Sequence, residues 1–309
     1  DNGTSGGIDP RTGRGYNAGM RGKKGSYYDG GHRVPCFVRW PRGGIGGGDV
    51  HALVTHLDLL PTLCELCALD IPEHKPWDGL SVAPLLRGQR QSLPDREIFV
   101  QYRQSTEPPQ MWECAMLTRE WRLVGGEELY YMAADPGQTR NLAEHYPDVV
   151  RRLRLAHERW WAEVSPGLEE YCPISIGADE ENPTTLGAMD VLGDVAWNQR
   201  QIRQAMKTTG RWAVQVERDG HYIFRLRRWP RELGLPIDAI LRDEESVQIN
   251  PTQARLSIGG FETTVSVTPG AEAVTIEADL KAGRTDLEAW FVDEAGEERG
   301  AYYVDVQRV

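Results

Sequence analysis

Residues Asp1 to Pro41 read DNGTSGGIDPRTGRGYNAGMRGKKGSYYDGGHRVPCFVRWP. The stretch opens on Asp1-Asn2, a carboxylate followed by an amide carbonyl. Two such oxygens at the end of a strand suit a hard divalent cation, which gathers about six to eight oxygens at once. Standing alone, Asp-Asn-Gly is equally an ordinary turn signal. The chain then passes through a Gly-rich loop to the doublet Lys23-Lys24 and turns at Asp29-Gly30-Gly31 into an apolar run, Val34 to Trp40. Such a run is expected as a strand buried on both faces of a parallel sheet.

Outward from this stretch the pattern alternates and then changes character. A helix is expected from Asp58, with that residue as N-cap, Pro61 in its first turn, and Leu59, Leu60, Leu63, Leu66 and Leu69 at helical spacing. A short helix follows over Ala83 to Leu86. Four strands joined by tight turns come next: Glu97 to Tyr102, Met111 to Leu117, Trp121 to Val124 and Glu128 to Met132. The clearest helix starts at Pro147, a residue whose missing N–H is harmless there, and sets Val150, Leu153, His157, Trp160 and Val164 on one face. His157 has no ligand partner four residues on, so it is expected to pack rather than bind metal. Pro173 to Gly177 reads as one more strand of the small sheet. From about Trp197 onward, short strands and turns recur at the spacing of a β-sandwich or jelly roll.

These pieces in this order resemble a type I, formylglycine-dependent sulfatase of the alkaline-phosphatase superfamily. Asp1-Asn2, Lys24-Gly25 and Asp29-Gly30-Gly31-His32-Arg33-Val34-Pro35 carry the resemblance, with Thr55 to Thr62, Asp78-Gly79-Leu80-Ser81 with Pro84-Leu85-Leu86, and Glu128-Leu129-Tyr130 with Asp135-Pro136 and Asn141-Leu142-Ala143. It covers roughly residues 1 to 177. The implied fold is α/β: the C-terminal portion of the catalytic domain with a small antiparallel sheet and its packing helix (1–177). A linker or first strand (178–196) and an all-β accessory sandwich (197–309) follow. The resemblance implies Asp1 and Asn2 as calcium ligands and Lys24 as the catalytic lysine. Lys24 and His32 would face the sulfate, with Asp29 and Arg33 as structural support. Asp29 stands where the family usually has Glu. The formylglycine nucleophile, made from Cys or Ser, has no candidate here, since no Cys lies in a Cys-x-Pro-Ser-Arg context. The chain is therefore expected to be a fragment of a sulfuric ester hydrolase, inactive alone, acting in the parent on aryl or carbohydrate sulfates. The family also implies a periplasmic or secreted location.

Composition narrows the rest. The formal charge of the 309 residues is −11, which disfavours nucleic acid as a partner. No apolar run reaches the roughly 20 residues that span a bilayer. Five scattered cysteines do not form a disulfide framework, and Cys64-Glu-Leu-Cys67 is expected as two small core residues on one helix face. The basic run Arg225 to Arg231 reads either as a saccharide-facing surface with Trp229 as a stacking platform, or as a strand with solvated arginines and a core Trp. Trp197, Trp212 and Trp290 are expected in the core. Two other functions share parts of this pattern. One is a phosphodiesterase or phosphonate hydrolase of the same superfamily, told apart by its nucleophile; the other is a non-catalytic carbohydrate-binding protein.

Overall fold

Cys114-Ala115-Met116-Leu117 is apolar at every position, whereas a sheet with one wet face alternates. The computed structural model explains this by covering both faces of the sheet that contains it. Residues 2–6, 9, 11–12, 15–70, 77–103, 107–208, 210–241 and 246–309 are described, and they fall into two units, Asp1–Glu169 and Glu170–Val309.

The first unit begins with three short helices, α1 (Asp29–His32), α2 (Leu59–Cys67) and α3 (Ala83–Leu86). Strands β1 (Ile98–Gln101), β2 (Cys114–Leu117), β3 (Trp121–Val124) and β4 (Glu128–Tyr131) then form a four-stranded antiparallel meander. Successive side chains on a strand point to opposite faces. On one face, Cys114, Met116, Leu123 and Leu129 pack on Leu153 of α4 (Pro147–Val164). On the other, Ala115, Leu117, Val124 and Tyr130 pack with Tyr27 and Tyr28 from the segment that leads into α1. The sheet thus joins the amphipathic helix to the Lys24 region.

Several expectations for this unit are corrected. Val34 to Trp40 pairs with no strand among the described residues and is exposed, Phe37 at 93%. A strand buried on both faces needs neighbours on both sides, and the described residues of this unit supply none; its four-stranded sheet is antiparallel, not parallel. Asp58 stands at the N-cap position of α2 as expected, but its side chain makes no cap bond there: one carboxylate oxygen accepts from Thr55 N–H, at the start of the preceding 3-10 turn. The other Asp58 oxygen accepts from Leu80 N–H and from Arg96, so the Asp58 side chain leaves the cap to hold two distant segments. Of the α2 leucines only Leu66 is buried, and of the Cys pair Cys64 is buried while Cys67 is exposed. The buried positions of this short helix are Pro61, Thr62, Cys64 and Leu66, not the leucine row that the spacing suggested.

The second unit consists of strands from β5 (Ile174–Ile176) to β14 (Tyr303–Arg308). Between them lie β6 (Thr184–Leu186), α5 (Gln199–Arg203), β7 (Trp212–Val216), β8 (Gly220–Arg227), β9 (Pro251–Ile258), β10 (Phe261–Ser266), β11 (Val274–Leu280), β12 (Gly283–Asp293) and β13 (Glu298–Gly300). One sheet runs β10-β9-β12-β7-β5 with β13 beside β12; the other runs β11-β8-β14-β6. Strict alternation, as in β11 with Val274, Ile276, Ala278 and Leu280 buried, sends one face of each sheet into a single shared core.

The expected strand at 173–177 does not join the small sheet. Ile174–Ile176 runs parallel to β7 in the second unit, because its buried Ile176 completes that core. The 178–196 segment likewise contributes β6, paired with β14. Trp212, Trp229 and Trp290 are buried, but Trp197 is exposed. With Trp229 in the core, it offers no stacking face. Arg228 beside it is wholly buried and donates to the carbonyls of Arg203 and Val247, while Arg227 pairs with Asp305 at 2.9 Å. No helix among the described residues is long and apolar enough to cross a membrane.

Candidate active-site segment

Two glycines with positive φ, Gly22 at 85° and Gly25 at 90°, bend the chain around Lys23-Lys24. L-residues with a Cβ rarely adopt that conformation. Ser26 closes the turn, with its N–H donating to the Lys23 carbonyl at 2.9 Å and its hydroxyl accepting from the Lys23 N–H at 3.2 Å. Both lysine side chains are left exposed. The single turn of α1 follows, carrying Asp29, Gly30, Gly31 and His32.

Backbone hydrogen bonds then bring the start of the chain to this turn. Gly3 N–H donates to the Gly31 carbonyl and Lys24 N–H to the Thr4 carbonyl, both at 3.0 Å. A Cβ on Gly3 would lie 1.9 Å from the Gly30 oxygen, so only glycine permits this approach. Asn2 is therefore held next in sequence to a segment bonded on both sides of the Lys24 turn, and it is exposed. Asp1 lies outside the described residues.

Asp29 is fully buried beneath the turn. Its carboxylate lies 2.9 Å from Arg122 Nε and 3.5 Å from an Arg33 terminal nitrogen, and its N–H donates to Gln138 Oε1 at 2.7 Å. Arg122 is itself buried and also donates to the carbonyls of Thr118 and Trp121. The stronger partner of Asp29 is thus Arg122, because the Arg33 side chain is largely in solvent. The sequence carried a signal for it: a lone charge, Trp121-Arg122-Leu123-Val124, on a strand otherwise apolar. Arg21 supplies a second tie. Its guanidinium stacks 3.9 Å over the Tyr28 ring and donates to Tyr130 Oη at 2.8 Å, and both tyrosine hydroxyls donate to Glu128. Those bonds, with Arg21 nearby, hold Glu128 below the usual carboxylate range.

His32 faces inward, with Nε2 3.3 Å from the Tyr27 carbonyl. Burial lowers its pKa below the ordinary imidazole value, against the pull of Asp29, which keeps the ring neutral at pH 7. A neutral ring can donate or accept one hydrogen bond but brings no charge to an anion. Elsewhere in the unit, Cys114 Sγ lies 3.2 Å from His157 Nε2 in a cage of Phe99, Trp112, Trp160 and Trp161. Burial pushes the thiol up to about 12 and lowers the imidazole, so both stay neutral. This pair is packing, not a nucleophile. Among the described residues no three His, Cys, Asp or Glu side chains gather as a metal ion requires. Hard oxygens from Asp1 and Asn2 suit calcium chemically, yet supply only two or three of about six to eight ligands.

Residues 22–159 match the family model for N-sulphoglucosamine sulphohydrolase, C-terminal. The chain is 37% identical over 163 residues to the delta 4,5-hexuronate-2-O-sulfatase of Bacteroides thetaiotaomicron, covering 50% of this chain and 33% of that protein. It is 41% identical over 94 residues to the steryl-sulfatase of Mus musculus, covering 30% of this chain and 15% of that one. A solved sulfatase structure from work on glycosaminoglycan metabolism by Bacteroides thetaiotaomicron aligns with a TM-score of 0.38 and 25% identity, over 46% of this chain and 32% of that one. The chain thus spans a third or less of the length of these relatives. The matched region contains the Lys24 turn, the α1 turn, the antiparallel sheet and most of α4, and over it the chain is similar to the C-terminal part of sulfatases.

Proposed function

We propose that this chain is the C-terminal part of a sulfatase that hydrolyses sulfate esters, aryl or carbohydrate, and that it contributes Lys24 to the active site. The family match over residues 22–159 carries the reading, and the exposed Lys24 on its fixed turn supports it. As a sulfate ester breaks, negative charge grows on the leaving oxygen. An ammonium held beside it stabilises that charge or donates a proton to it. The Asp29–Arg122 pair and the Gly3 and Lys24 backbone bonds keep the turn in place for this, and His32, whose single N–H is directed at the Tyr27 carbonyl, would line the site without donating to the sulfate.

Calcium, with Asp1 and Asn2 among its ligands, would neutralise the non-bridging oxygens, and formylglycine would supply the nucleophilic oxygen. No residue of this chain can become that formylglycine, so the 309 residues alone are expected to be inactive. The exposed apolar side chains Phe37, Leu59, Leu60 and Leu63 are what a segment of a larger α/β domain presents to its neighbours. The second unit, with its shared two-sheet core, fits an accessory β-sandwich. A periplasmic or secreted location follows from the family reading.

The test is to express the whole sulfatase polypeptide that contains this chain, with and without calcium, and to assay sulfate-ester hydrolysis beside the 309-residue chain. The reading expects calcium-dependent hydrolysis by the whole protein and none by the chain. Hydrolysis by the chain alone, or a whole protein that cleaves phosphodiesters and no sulfate ester, would contradict it.

A further inference from the structure

Tyr102 directly follows β1, and its ring reaches the turn that carries Lys24: a Cβ on Gly25 would lie 3.6 Å from Tyr102 Cε1. The chain is anchored at Tyr102 and just after it. Tyr27 Oη donates to the Tyr102 carbonyl at 2.9 Å. The next residue, Arg103, donates to both Glu113 carboxylate oxygens at 2.7 Å. Despite these anchors the tyrosine is 37% exposed. Arg103 is neutralised by Glu113 and has Glu107 within 3.8 Å, so it has little charge left to offer an anion. What this edge of the sheet presents beside the turn that carries the lysine is therefore a partly exposed aromatic residue.

Resting on the sulfatase reading above, we propose that Tyr102 is the ring platform of the site. A sulfate at Lys24 then belongs to a cyclic group, a pyranose or an aryl ring, whose flat face packs on the tyrosine. Such a contact needs a rigid aromatic with little entropy to lose, and it is made by area and ring geometry rather than by charge. Tyr102 acts as a specificity residue: it binds the ring in the ground state and the transition state alike, so its loss raises KM and leaves kcat nearly unchanged.

The experiment uses the whole matured sulfatase with 4-nitrophenyl sulfate and with glucosamine 6-sulfate. Tyr102→Ala is expected to raise KM about fivefold for whichever of the two is cleaved, with kcat within about twofold, and Tyr102→Phe to restore the wild-type KM. Hydrogen exchange at the Lys24 amide, bonded to Thr4, reads the turn itself and is expected to stay unchanged in Tyr102→Ala. An unchanged KM overturns the proposal. So does a raised KM accompanied by lost Lys24 protection, which would make Tyr102 a prop for the turn. If the wild-type protein cleaves no sulfate ester at all, the sulfatase reading itself falls, an outcome separate from either of these.

Discussion

Replacing Asp29 by Ala leaves the Arg122 guanidinium in the interior with no carboxylate. Arg122 is 7% exposed and Asp29 wholly buried, so water cannot take over the charge. Breaking a buried pair by removing one partner typically costs about 3 to 5 kcal/mol. Here the lower end applies, near 3 kcal/mol, because Arg122 keeps the Thr118 and Trp121 carbonyls as acceptors. The Arg33 contact adds little, being 3.5 Å long with the Arg33 side chain mostly in water. At about 1.4 kcal/mol per factor of ten, 3 kcal/mol raises the opening equilibrium roughly 150-fold. Because the chain holds two units, the fitting assay is native-state hydrogen exchange read at the β3 and β4 amides, which reports the first unit by itself. The double replacement Asp29→Leu with Arg122→Met removes both charges and should lose less than Asp29→Ala alone. If Asp29→Ala changes protection less than about fivefold, or if the double variant is the worse of the two, Asp29 and Arg122 do not act as a buried pair.

Three further outcomes are expected. Gly3→Ala forces a Cβ onto the Gly30 oxygen and should strip exchange protection from the Gly3 and Lys24 amides, at a cost of about 1 to 3 kcal/mol; unchanged protection would show that the segment is not clamped there. Iodoacetamide should label three cysteines in the native chain, the exposed Cys36, Cys67 and Cys172, and reach Cys64 and Cys114 only after unfolding, since burial also holds the folded Cys114 thiol protonated, pushed up to about 12. The two units should respond oppositely to acid. His32 and His157 have folded pKa values lowered by burial, so the stability they give is full above the unfolded value near 6.5 and is lost as pH falls below it. His221 is raised by Asp279 and Glu277, so its contribution is present below the unfolded value and lost as pH rises through the folded one. Lowering pH from 7 to 5 should weaken protection in the first unit, less so in a His157→Phe variant, and spare β8 and β11.

What the residues revealed in advance was decided by whether the physics was local. The antiparallel meander and α4 follow from hydrophobic period and turn residues, and the structure has them within a residue or three of the expected bounds. Asp29 was recognisable as support, but Arg122 lies 93 positions away and reaches it only once β3 is folded beside the turn. Val34 to Trp40 has the composition of a central strand, and composition does not say whether neighbouring strands are present. Ile174–Ile176 reads as a strand either way, and which sheet it joins is settled by the core that Ile176 enters. Tyr102 gave no signal, because an aromatic at a strand end is ordinary until the Gly25 turn is placed against it.

If Lys24 serves sulfate-ester cleavage, its removal must lower turnover of the sulfate ester. The most direct measurement is kcat of the whole matured sulfatase and of its Lys24→Ala variant, on 4-nitrophenyl sulfate and on a phosphodiester, with Lys23→Ala as the control. Lys24→Ala is expected to lose about a hundredfold or more in kcat on the sulfate ester, and Lys23→Ala to change little. Equal activity of the Lys24 variant and the wild type on the sulfate ester would contradict it.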